Sequence, residues 1–267
     1  MSHNWSCANA KLHECHCGGC GGAEHGWQGR LVRAREWTAE DRARLRAGID
    51  AEWDQNRPRT AKGRPGRPNK NRRAAAADSA IADVVDWLAE HPDEIDLIQA
   101  VGDLLAKDVS EELEKELGKA KWKALKRSLV DHFWCDLLAA LAGALGEFKK
   151  MADQIPEYIE KMILESRAVE KRSAVDKWLV RLAVRTVWNL IKRLPVFGQF
   201  DDLVRAVRIL AILLCPALED HPAVYHHCIV PLVGEGVKEI ISDETKRRLE
   251  EIFPEDWPDG IRRKLAG

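Results

Sequence analysis

From Ala80 to about Ile252 apolar residues recur three or four positions apart, and nowhere in that span do they alternate strictly with polar ones. Ile81, Val84, Val85 and Leu88 follow the i, i+3, i+4, i+7 pattern, as do Ile95, Ile98, Val101, Leu104 and Leu105. That period matches one face of an α-helix, and a sheet would need a period of two. A chain with this pattern and no internal repeat folds as an all-α, multi-helix bundle. A third helical segment is expected from Ser110 to about Gln154, turning apolar at "DHFWCDLLAALAGAL". A fourth opens at Pro156, which suits a first turn, and runs to about Arg193 with Trp178, Leu182, Val187, Leu190 and Ile191 on its apolar side. Shorter helices follow at about 200–214, 223–241 and 243–252, with a brief one after Pro258. The longest apolar stretches, Phe133–Leu145 and Leu203–Leu214, fall short of the eighteen or so residues a membrane span requires.

The front of the chain obeys different rules. Residues 1–78 carry fifteen Lys/Arg against nine Asp/Glu, whereas 79–267 carry 27 against 34, although the net charge of the whole is only −1. A basic front joined to an acidic body predicts two parts with different partners. Four divisions follow: a Cys/His module over 1–30, a helix within 31–55, a flexible basic linker over 56–79 and the helical domain 80–267. In the second of these, Thr38 as N-cap with Asp41 at the third helical position predicts a helix to Gln55. The segment 56–79 has eight positive charges and three prolines, with its first acid at Asp78; its composition predicts a solvated tether.

Four of the seven cysteines, Cys7, Cys15, Cys17 and Cys20, crowd into the first twenty residues. No apolar run of the kind that directs secretion precedes them, so a reducing, cytoplasmic setting is expected, in which such a cluster binds metal rather than forming disulfides. Cys17-Gly-Gly-Cys20 lets one tight turn supply two thiolates, and His25 follows at C-x2-C-x4-H. "CGGCGGAEHGW" resembles the zinc knuckle family, with its first three ligands, the glycine after the second cysteine and a nearby aromatic, Trp27. The family's fourth ligand falls at Arg30, so the remaining ligand must come from upstream: Cys7 or Cys15, with His13 and His16 behind them. Zn2+ in a closed, structural tetrahedron is the expected cofactor, stapling a segment too small to build its own core. Trp27 is the expected stacking surface for an unpaired base.

"AKGRPGRPNKNRR" resembles the AT-hook motif, a Gly-Arg-Pro tripeptide preceded by a basic residue. Lys62, Gly63, Arg64 and Pro65 carry the match, and Gly66, Arg67 and Pro68 repeat the tripeptide. The resemblance implies contact with the minor groove of A·T-rich DNA. There proline keeps the chain extended, glycine lets the backbone reach the groove floor and arginine enters a narrow, negative cleft. Lys70, Arg72 and Arg73 would add phosphate contacts.

"LIKRLPVFGQFDDLVRAVRILAILL" (190–214) resembles the conserved stretch of the YkvA-like family of helical domains, through Pro195, Val196, Phe197, Gly198, Asp201, Asp202 and Leu203. That family brings no known chemistry. Asp201 and Asp202 read first as acids at a helix's positive end, and the paired-carboxylate alternative is weaker. In "EDHPAVYHHC" (219–228), His221 and His226 lie five apart with Pro222 between them, which does not align two metal ligands on one helical face. No Gly-rich phosphate loop, nucleophile elbow or HExxH signature is present, so an enzyme is the weaker expectation. The leading expectation is a nucleic-acid-associated binding or regulatory protein with a zinc-stabilised front. The alternative is a protein–protein adaptor acting through its helical body, with the zinc module recognising the partner.

Overall fold

The structure is a computed structural model that describes residues 26–56, 69–120, 122, 133–147, 155–164, 174–192, 200–215, 221–233 and 240–253. Every element among these residues is helical. In chain order they are α1 (Gly26–Glu36), α2 (Ala39–Gln55), α3 (Lys70–Glu90), α4 (Pro92–Asp103), a π-helical turn (Leu104–Asp108), α5 (Val109–Leu117), α6 (Phe133–Glu147), α7 (Ile155–Leu164), α8 (Ala174–Ile191) and α9 (Phe200–Leu214). Then come the single turn α10 (Pro222–Val224), a second π-helical turn (Tyr225–Ile229), a 3-10 turn (Val230–Leu232) and α11 (Asp243–Ile252). The all-α expectation is met. Among the described residues no helix is long and apolar enough to cross a membrane.

The helix ends follow from short-range chemistry. Thr38 closes a capping box on α2: its side chain accepts from Asp41 N at 3.2 Å while Asp41 Oδ2 accepts from Thr38 N at 3.1 Å. Asn69 caps α3 by accepting from Arg72 N at 2.8 Å, and Ser242 caps α11 by accepting from Thr245 N at 3.3 Å. Gly118 ends α5 with φ 77°, a conformation any side chain would strain. The expected long helix from Ser110 therefore breaks at Gly118. The expected Pro156–Arg193 helix is likewise two helices, α7 and α8, packed against each other.

α9 is the axis of the bundle. It packs on α1, α3, α4 and α6, and Leu203, Val207, Leu210, Ala211 and Leu213 are wholly buried along it. α2 and α3 form a hairpin on one side, α11 docks on α3, and α6, α7, α8 and α5 build the other side. Cys135 on α6 and Cys215 just after α9 are joined as a disulfide, a pairing that their scattered positions in the sequence do not suggest. Both are buried, and their Cα atoms lie 5.8 Å apart, within the usual span of such bonds.

Two of the expected divisions change. α1 begins at Gly26, inside the segment assigned to the Cys/His module, and Trp27, Leu31 and Ala34 enter the same apolar cluster as the rest of the bundle. Residues 69–79 of the expected linker are instead the first turns of α3, with Arg72, Ala75, Ala76, Ala77 and Ser79 buried. A run of four alanines behind an Asn cap is strongly helix-forming, and that local preference outweighs the charge of the residues before it. The front helices and the body share one core.

Candidate functional site

The expected metal ligands Cys7, Cys15, Cys17, Cys20 and His25 lie outside the described residues. So do Lys62, Gly63, Arg64, Pro65 and Arg67 of the basic motif. Among the described residues no group of three or more His, Cys, Asp or Glu side chains is placed to hold a metal ion. The described residues do define what these two segments are attached to.

The Cys/His segment leads directly into α1, and α1 is anchored firmly. Trp27, the residue expected to stack on a base, is only 2% exposed, its indole pressed on the backbone of Gly102 in α4. A Cβ at Gly102 would sit 2.6 Å from Cζ3 and 2.7 Å from Cζ2 of that indole, so only glycine fits there. A nucleobase cannot reach this ring. Arg30, which stands where a zinc knuckle has its last ligand, donates to the carbonyl of Leu213 at the C-terminal end of α9. It thus meets a helix end that favours cations. Burial lowers its pKa to about 10, Asp78 opposes that shift and Arg33 adds to it.

The basic residues around the second segment are mostly spent within the fold. Arg42 pairs with Asp86 at 2.9 Å, Arg46 with both Asp83 and Asp86 at 2.6 Å, and Arg44 with Asp41. These three cations of α2 are therefore largely neutralised by neighbouring carboxylates. Arg72 is buried, stacks 3.9 Å over the Trp53 ring and pairs with Glu251 at 2.6 Å. Its assignment to phosphate contact is overturned: a guanidinium so held cannot leave without exposing Trp53. Arg73, half-buried, also has interactions within the fold. Lys70 alone of the three is exposed, at the first position of α3.

The same region supplies a geometry that the sequence did not suggest. Asn69 Nδ2 donates to Asn56 Oδ1 at 3.3 Å, so the residue before segment 57–68 is hydrogen-bonded to the residue after it. Segment 57–68 contains Arg57, Arg59, Lys62, Arg64 and Arg67 and no acid. It does not join two separate domains. It leaves and re-enters the fold at one place, the end of the α2–α3 hairpin. Close by in the fold the Trp53 ring has the guanidinium groups of Arg72 at 3.9 Å and Arg248 at 5.4 Å, and Arg248 in turn donates to Ser79 Oγ at 2.9 Å and pairs with Asp50 at 2.6 Å and Glu244 at 3.0 Å.

The described side chains of the alternative sites in the body are tied into the bundle. Asp202 pairs with Arg205 at 2.6 Å, and Arg205 also pairs with Glu94 at 2.5 Å, tying α9 to α4. His221 is buried and donates from Nδ1 to Asp136 at 3.1 Å. His227 faces Gly143, and its pKa is lowered first by burial and then by the Arg208 guanidinium. Arg208 itself donates from Nε to the His227 carbonyl at 3.0 Å. The Cys228 thiol is fully buried and its pKa is pushed up to about 12 by burial, so it is a protonated core residue and not a nucleophile.

One aromatic residue does reach solvent. Trp178, expected on the apolar side of its helix, is 53% exposed. At about 100° per residue it falls on the side of α8 opposite Val180, Val184, Val187 and Ile191, which are the buried residues. A helical projection of the sequence, rather than a count of apolar residues, carries that signal. Comparison with family models, curated proteins and solved structures finds no match to this chain.

Proposed function

We propose that the protein is a nucleic-acid-associated binding protein in which segment 57–68 supplies the contact and the helical bundle presents it. The observation that carries this reading is the Asn56–Asn69 hydrogen bond at the base of an acid-free segment with five cations. Holding both ends of such a segment reduces the conformational freedom lost when its arginines enter a groove. The neighbouring arginines are neutralised within the fold, so this reading assigns the phosphate contacts to Lys62, Arg64 and Arg67, with the exposed Lys70 beside them. A duplex with a narrow minor groove, A·T-rich DNA above all, suits arginines flanked by glycine and proline.

In the same reading Cys17, Cys20 and His25, completed by Cys7 or Cys15, hold Zn2+. Thiolate and imidazole donors suit that ion, and its binding would fold a segment that ends immediately before α1. A cytoplasmic setting belongs to this proposal too. Glutathione there works against the Cys135–Cys215 bond, which only its burial would protect.

Fluorescence anisotropy with an A·T-rich duplex across a salt series tests the contact. Wild type should bind with an affinity that falls steeply with salt. Arg64→Ala/Arg67→Ala should weaken binding and reduce the salt slope by about 0.9 for each phosphate no longer neutralised. Unchanged affinity in that variant refutes the assignment. Native mass spectrometry should find one Zn2+ on wild type and none on Cys17→Ser/Cys20→Ser; a metal-free wild type removes the zinc part alone.

A further inference from the structure

The outer face of α8 carries a row that nothing above accounts for. Trp178, Arg181, Arg185 and Lys192 recur at i, i+3, i+7 and i+14, so they share one side of the helix and its last turn along about 21 Å. All four are exposed: Trp178 53%, the Arg181 side chain 51%, the Arg185 side chain 69%, and Lys192 on the surface. Both arginines turn towards one carboxylate, Glu160 of α7, and both do so through Nε, at 3.8 Å and 3.2 Å. Glu160 is itself only 15% exposed. A single half-hidden acid thus faces two guanidinium groups that stay at least half exposed.

This arrangement stands out in a body whose acids outnumber its cations. Exposed tryptophan is costly in water unless something covers it part of the time, and a planar ring beside a row of cations has a matching ligand. A single-stranded nucleic acid offers bases to stack on the indole and a phosphate chain to run along the guanidinium groups. We infer that the Trp178–Lys192 face of α8 is a single-strand nucleic-acid site, with Trp178 stacking on an unpaired base and Arg181, Arg185 and Lys192 on the phosphates. The inference rests on the nucleic-acid reading above but uses none of its residues. It also moves the stacking role from Trp27, which is buried, to Trp178, which is not.

The test uses the full chain and a fluorescein-labelled oligothymidylate, with the A·T-rich duplex and a polyglutamate peptide as comparison probes. Trp178→Ala should weaken oligothymidylate binding roughly ten- to a hundredfold, and Trp178→Phe should restore part of it. Arg181→Gln/Arg185→Gln should reduce the salt slope for the single strand by about 1.4. Neither change should affect duplex binding, which Arg64→Ala/Arg67→Ala should. Because Trp178, Arg181 and Arg185 are exposed, thermal unfolding should be unchanged in the α8 variants. Wild type that binds oligothymidylate equally well with Trp178→Ala or Arg181→Gln/Arg185→Gln overturns this inference and leaves the duplex proposal intact. Wild type that binds no nucleic acid overturns both. Polyglutamate that binds more tightly than oligothymidylate and is displaced by the arginine changes makes the face a dock for an acidic protein, which also overturns the inference.

Discussion

Gly102→Ala and Gly48→Ala are the same chemical change in two helices, and the structure predicts opposite signs for them. Each adds one methyl group and removes the backbone freedom of a helical glycine, a gain of about 1 kcal/mol where nothing else intervenes. At Gly48 in α2 no atom lies within 4 Å of the new Cβ, so the full gain should appear. At Gly102 the new Cβ would sit 2.6 Å and 2.7 Å from two carbons of the Trp27 indole, against an ordinary contact of 3.4–4 Å. The ring is rigid and 2% exposed, so α1 must shift by several tenths of an ångström or more, and overpacking of this kind costs about 1–3 kcal/mol. The net expectation is stabilisation by about 1 kcal/mol for Gly48→Ala and, for Gly102→Ala, loss of that gain and destabilisation by up to about 2 kcal/mol. Urea unfolding followed by circular dichroism measures both. A double-mutant cycle with Trp27→Leu isolates the cause: the smaller side chain should relieve most of the Gly102→Ala penalty. If Gly102→Ala stabilises as Gly48→Ala does, or if its effect simply adds to that of Trp27→Leu, then Trp27 does not pack on α4 as described. The case against Trp27 as a base-stacking residue would fall with it.

Three further outcomes follow from the same structure. Lowering of the His227 pKa means that the unfolded chain takes up this proton before the folded one does. Stability should therefore decline as pH falls below 6.5, the ordinary histidine value, towards the lower folded-state pKa, and His227→Gln should blunt that decline in chemical-denaturation midpoints. A mutant with an unaltered profile would show that another group governs it. Cys135 and Cys215 close a sequence separation of 80, so Cys135→Ala/Cys215→Ala should lower stability by about 2–5 kcal/mol. Alkylation of both cysteines in native, unreduced protein would show instead that the bond is not present. Arg248→Ala should cost about 2–3 kcal/mol by leaving Ser79 and the Trp53 face without their partner, with Asp50 and Glu244, both about half exposed, limiting the loss. Thermal melts of Arg248→Ala and Arg248→Lys check this, and a lysine variant as stable as wild type would contradict a role that needs the guanidinium fork.

Periodicity carried the fold class, because 3.6-residue spacing leaves few alternatives for a buried stripe. The capping box at Thr38 and the first-turn placing of Pro156 were likewise local and readable. What could not be read was where a periodic stretch stops being one helix. Gly118 lies inside an otherwise continuous helical pattern, and its positive φ becomes necessary only because α5 must end and the chain turn there. The Cys135–Cys215 bond depends on the packing of α6 against α9, a contact between residues 80 positions apart that spacing does not encode.

Charge misled where aromatic burial and ion pairing intervened. Arg42, Arg44, Arg46 and Arg72 give the front of the chain its basic composition, yet each finds an acid inside the fold, and Arg72 and Arg248 face Trp53 as well. Composition counts charges, but only geometry subtracts the paired ones. Two cationic features of different character lie beyond those four arginines. One is the acid-free segment fixed at Asn56 and Asn69, whose prolines and glycines suit a groove. The other is the α8 face, where Glu160 sets two arginines beside an exposed indole. If each binds as its chemistry directs, the chain holds a duplex at one point and an unpaired strand at another. Binding to a fork or a bubble should then exceed binding to either form alone, and the Arg64/Arg67 and Trp178 changes should each return the affinity to that of the surviving site. An affinity for forked DNA equal to that for duplex would show that the two features do not act on the same strand.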